Sequence, residues 1–157
     1  MNATSTRPCC SVHDGPVPPH LVRHGLDRFR RLAGCMFAGE PVPAREVMDR
    51  LANRLITICS LDVRDFVVAA AGHIRAALLE LARTVLAETP SDELREWLGV
   101  HQGVEALPAA ERELFDLLLY WGLSEARVAA LLGISPGGVR VCWNEARLVL
   151  HEVVWGR

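Results

Sequence analysis

The stretch Ser124-Glu-Ala-Arg-Val-Ala-Ala-Leu-Leu-Gly-Ile-Ser-Pro-Gly-Gly-Val139 decides how the chain is read. It divides into a short helix from Ser124 to Leu132, a turn of Gly133, Ile134 and Ser135, and a longer helix entered at Pro136: the helix-turn-helix pattern. Three positions carry it. Ala129 is small where two helices touch, Gly133 can take positive φ where the chain turns, and Val139 anchors the second helix in the core. Ser135 before Pro136 is a good helix start, because the hydroxyl can cap a free amide and proline at the first helical position forfeits no hydrogen bond. An ordinary helical hairpin is the plainer reading, but turn, cap and apolar spacing all agree with a nucleic-acid-binding ancestry.

Working outward, Pro108 opens a helix that runs to Tyr120-Trp121 and stops at Gly122, and the helix from Pro136 extends to about Val154. Upstream, Val22, Leu26, Phe29, Ala33 and Met36 recur at helical spacing, and Gly39-Glu-Pro-Val-Pro43 ends that helix. A second helix, about Ala44 to Cys59, places Val47, Leu51, Leu55 and Ile58 on one face. In the third, Asp62 is the cap with Asp65 three residues on, and Phe66, Ala70, Ile74, Ala77, Leu78, Leu81 and Val85 form a wide apolar stripe suited to two neighbours. No period-two strand pattern appears, so the expected fold is all-α.

Between these groups the character changes. From Ala87 to Leu107 five acids face one base, a local charge of −4, and Gly99 and Gly103 interrupt a long helix. We read residues 88–106 as an acidic linker holding one or two helical turns from Thr89-Pro90-Ser91-Asp92. The expected organisation is a disordered tail (1–20), a three-helix unit (21–87), the linker, and a helix-turn-helix unit (107–157).

Composition bounds the function. The chain has 157 residues, half of them hydrophobic, enough to bury a core. No apolar run can cross a bilayer and the N-terminus lacks a secretion signal, so the default compartment is the cytoplasm and no membrane partner is expected. All 17 basic residues are arginine and face 19 acids, so no global positive field draws in DNA and any binding needs local charge. The five cysteines are scattered without C-x-x-C spacing, which fits reduced thiols; Cys9, Cys10 and His13 are a weak metal pattern in a proline-bearing tail. We expect neither metal nor other cofactor. The six histidines show no spacing that sets two beside a carboxylate, and no catalytic residues are assigned.

Several segments carry a family resemblance. Leu107-Pro-Ala-Ala-Glu-Arg-Glu-Leu-Phe115, Trp121-Gly-Leu-Ser-Glu125, Val128 to Val139, and Ala146-Arg147 resemble region 4 of bacterial extracytoplasmic-function (ECF) sigma factors. Phe66 to Arg83 is similar to the end of region 2 in one branch of that family, and Leu26 to Ala33 to its opening helix. The resemblance implies a promoter-recognition subunit with core RNA polymerase and promoter DNA as partners, and an anti-sigma factor as a further partner. Region 2 would serve the downstream promoter element through Arg75 and Arg83. Region 4 would read the upstream element through Ser135, Arg140, Asn144 and Arg147.

The chain departs from the family where charge is concerned. Gly138, Val141, Cys142 and Glu145 stand where polar or basic groups are usual, and Gly72, Ala76, Thr84 and Val85 where further arginines are. From Pro108 to Arg157 five arginines face six acids. Two classes therefore stay open: a working, divergent sigma factor, and a sigma-like protein that has lost promoter DNA and regulates through protein contacts. Val141, Val149 and Val153 make the last helix more apolar than a DNA-reading face requires, which also suggests a partner surface or a self-association seam.

Overall fold

A computed structural model describes residues 16–37 and 44–156. The expected stop at Gly39 to Pro43 and the tail as far as Gly15 lie outside the described residues. From Pro16 onward the chain is already engaged with the fold: Val17 is buried, and α1 (Pro19–Met36) starts two residues later. There follow α2 (Ala44–Thr57), closed by a short 3₁₀ turn at Ile58–Ser60, then α3 (Val63–Glu88) and α4 (Asp92–Glu105). The C-terminal part holds α5 (Ala109–Phe115), α6 (Glu125–Leu132) and α7 (Pro136–Trp155). The described residues are all-α, as expected, and none of the helices is long and apolar enough to cross a membrane.

Local chemistry explains most boundaries. The Asp62 carboxylate accepts from Asp65 N at 2.8 Å at the start of α3, and Ser91 Oγ accepts from Leu94 N at 3.2 Å at the start of α4. Beyond α5 the chain continues as a π-helix over Asp116–Trp121, where the sequence alone predicts the same helix running on to Trp121. Gly122 then reverses the chain at φ +80°.

The central element is α3. Its apolar stripe is buried along its length, and α1, α2, α4 and the π-helical segment all pack on it. In the C-terminal part α7 packs across α4, α5 and α6. One hydrophobic core runs from Val17 to Leu150, so the expected boundary between residues 87 and 107 leaves no break in it.

The acidic stretch corrects the reading most. It is not a linker with one or two turns but the 14-residue helix α4, with Leu94, His101, Gly103 and Val104 buried. Gly103 does not break it. A β-carbon there would lie 3.1 Å from Leu150 Cδ2 and close to Val153 and Val154, so the glycine lets α4 approach α7.

Arginines close the helix ends. Arg28 of α1 donates to the carbonyls of Leu119 (2.7 Å) and Tyr120 (3.2 Å), and His24 Nε2 lies 3.1 Å from the Trp121 carbonyl. Arg64 of α3 donates to Leu131 O at 3.0 Å, near the end of α6, and Arg112 donates to Glu105 O at 3.2 Å, at the end of α4. Carbonyls at a helix C-terminus lack intrahelical donors and carry partial negative charge, so a guanidinium from another element satisfies both needs.

Candidate nucleic-acid interface

The helix-turn-helix has the local geometry expected of it. Ser124 starts α6 by accepting from Arg127 N at 3.4 Å, Gly133 turns the chain at φ +68°, and Ile134 N returns to Ala129 O at 3.0 Å. Ser135 Oγ accepts from Gly138 N at 3.0 Å, and Pro136 occupies the first turn of α7. Ala129 and Val139 are buried, as their roles at the helix contact require.

Burial on α7 fixes which side faces solvent. Val139, Ala146 and Leu150, at intervals of seven and four, form its buried stripe. Arg140, Asn144 and Arg147, at intervals of four and three, fall together on an exposed face. The structure therefore brings three of the expected contact residues onto one stripe, with the Ser135 cap at its entry. Arg140 is drawn toward α6, its Nε 3.4 Å from Glu125 Oε2 in an exposed pair. Such a pair is readily exchanged for a phosphate. Trp143 is half-buried and stacks on Phe115 with ring centroids 5.0 Å apart.

The two residues assigned to the downstream element part company. Arg83 is exposed on α3. Arg75 is 8% exposed and Asp116 6%, and the two form a bidentate pair: Nε to Oδ1 at 2.8 Å and Nη2 to Oδ2 at 3.3 Å, with Glu105 3.4 Å from Nη1. A guanidinium committed in this way is not presented to a phosphate. Burial works against its charge, but the hydrogen bond and negative charge of Asp116 outweigh that and hold the Arg75 pKa above its ordinary value.

Around this pair lies a polar cluster that the sequence reading missed. His101 Nδ1 and the Tyr120 hydroxyl hydrogen-bond one another, and the His101 ring lies against Trp97 with centroids 3.9 Å apart. Burial, and then the charge of Arg75, push His101 down to about 4, so the ring is neutral in the fold. Burial raises Tyr120 and keeps its phenol protonated. His101 and Tyr120 also line an apolar cleft of about 300 Å³ shared with Leu32, Met36, Leu78 and Trp97. The signal for Arg75 was present in the sequence: it sits four residues from Ala71 and from Leu79, both buried, and so lies on the apolar face of α3.

Against this geometry, no family model, no curated protein and no solved structure matches the chain.

Proposed function

We propose that the chain is a sigma-factor-like transcription initiation protein that binds core RNA polymerase and contacts promoter DNA with α7. The observation that carries this reading is the exposed stripe of Arg140, Asn144 and Arg147 on the second helix of a capped helix-turn-helix. In that motif the second helix enters the major groove, where arginine and asparagine can read base edges or fix the register on phosphates. The resemblance of residues 107–147 to sigma region 4 and of 66–83 to region 2 supplies the transcriptional context. With a net charge of −2, the chain alone has little electrostatic grip on DNA, and polymerase supplies most of the affinity.

A second reading rests on Arg75. Its burial against Asp116 removes from the surface one of the two arginines expected to serve the downstream element. This favours a sigma-like protein that occupies polymerase and regulates it through protein contacts.

Co-purification with core RNA polymerase, followed by footprinting of the complex on genomic DNA at varied salt, separates the two. Arg140→Ala with Arg147→Ala is expected to abolish sequence-selective footprints while leaving retention on core intact. If both arginines meet phosphates, the double variant also lowers the slope of log affinity against log salt by about 2. Retention on core without footprints selects the second reading, and failure to bind core refutes both.

A further inference from the structure

The exposed side of α7 contains a repeat that DNA contact does not require. Arg140-Val141, Asn144-Glu145, Arg147-Leu148 and His151-Glu152 repeat with a period of seven: arginine, aliphatic, polar group, glutamate, twice over. All eight positions are exposed. The aliphatic members, Val141 at 56% and Leu148 at 68% exposure, lie opposite the buried stripe of Val139, Ala146 and Leu150. A two-stranded coiled coil uses this period, with two seam positions per heptad and opposite charges flanking them; here Val141 and Leu148 fill one seam position and the polar Asn144 and His151 the other.

The flanking charges choose the occupant and its orientation. Arg140 and Arg147 lie on one side of the Val141–Leu148 line, and Glu145 and Glu152 lie on the other. In a parallel pair of helices each arginine flank faces the glutamate flank of its neighbour; in an antiparallel pair arginine faces arginine and glutamate faces glutamate. The helix is thus complementary to a parallel copy of itself.

We infer that α7 is the seam of a parallel homodimer, in which Val141 and Leu148 pack against their counterparts while Arg140 and Arg147 of each copy meet Glu145 and Glu152 of the other. The bodies lie on opposite sides of the two-fold axis, because each copy buries the far side of α7 in its own core. Arg140 exchanges its exposed contact with Glu125 for Glu145 of the second copy. With Asn144 and His151 at the alternate seam positions, the two heptads make a weak pair. This inference stands independently of the DNA reading; where both hold, the dimer covers Arg140, Asn144 and Arg147, and DNA and the second copy compete.

Sedimentation equilibrium of the full chain at low salt, from about 1 to about 300 µM, the range in which a weak pair assembles, tests it. The wild type is expected to pass from monomer to dimer over this range. Glu145→Arg with Glu152→Arg, and separately Arg140→Glu with Arg147→Glu, each make both flanks alike and are expected to weaken self-association at least about tenfold. An equimolar mixture of the two double variants restores opposite charges on both sides and is expected to dimerise about as tightly as the wild type. Leu148→Asp is expected to weaken the pair in any mixture. All substituted side chains are exposed, and unchanged circular dichroism verifies the fold. A wild type that stays monomeric throughout, variants that dimerise undiminished, or a mixture that fails to associate would each overturn the inference.

Discussion

Acidification is expected to destabilise the protein through His101. In α4 this imidazole is enclosed by Trp97, by the Tyr120 hydroxyl on Nδ1, and by the nearby charge of Arg75. Burial first and Arg75 second lower its pKa from 6.5 to about 4. In the unfolded chain the ring keeps its ordinary value, so between these limits the unfolded state binds a proton that the folded state does not. The stabilisation is complete above about pH 6.5 and is lost as the pH falls toward 4. The gap corresponds to about 3 kcal/mol when fully expressed and about 2 kcal/mol by pH 5, a large share of a stability of about 5–15 kcal/mol.

Urea unfolding followed by tryptophan fluorescence at pH 7.5, 6 and 5 measures it, with His101→Phe as comparison. Carboxylates that titrate over the same range are common to both proteins and cancel in the difference. Phenylalanine keeps a flat ring beside Trp97 but leaves the Tyr120 hydroxyl without its partner, at a cost of about 1–2 kcal/mol that does not depend on pH in this range. The variant is therefore expected to be the less stable protein at pH 7.5 and to draw level with the wild type near pH 5. Parallel pH profiles for the two proteins would refute the reasoning, because they would mean that His101 is not held neutral by the fold.

Two further outcomes follow from named contacts. Arg75→Met leaves Asp116 buried without its partner and is expected to cost about 3–5 kcal/mol, most of it regained when Asp116→Leu is added; a double variant as unstable as the single one would contradict this account of the pair. Gly122→Ala is expected to lower the melting temperature more than Gly133→Ala. Both glycines have positive φ, but a β-carbon at Gly122 would lie 2.8 Å from Arg28 Cζ and displace the guanidinium from the Leu119 and Tyr120 carbonyls, whereas Gly133 faces open space and bears only the conformational cost of about 1 kcal/mol.

What the sequence made legible was local. The caps at Asp62 and Ser135, the turn at Gly133 and the stripe on α3 depend on residues within a few positions of one another, and each stands where expected. The failures share one physical cause: the deciding partner is distant in sequence. Gly99 and Gly103 read as breakers because glycine weakens a helix in isolation, yet α4 runs through both and sets Gly103 against Leu150, 47 residues away. Arg75 was matched to a surface role, while its partner Asp116 lies 41 residues downstream. The continuity of the core past residue 87 was hidden for the same reason, since the acidic charge of α4 described its exposed face and not its buried one.

The distribution of arginine links the fold to the functional question. Arg28, Arg64 and Arg112 are turned to carbonyls near helix C-termini and Arg75 to a buried carboxylate. Three of these four contacts tie residues before α4 to residues after it. A chain without lysine has only its arginines for both holding itself together and meeting phosphates. Each guanidinium used as a tie between the halves is one withdrawn from the exposed surface, so less positive charge is left there for nucleic acid. It also sets the condition for the DNA reading. If polymerase separates the halves, Arg28, Arg64 and Arg75 are freed together, and the protein gains positive surface only in the complex that needs it. Cross-linking α3 to the π-helical segment through an engineered disulfide should then abolish footprinting on the polymerase complex, and reduction should restore it. Footprints that persist when the link is closed would mean that α7 reads DNA with the body intact.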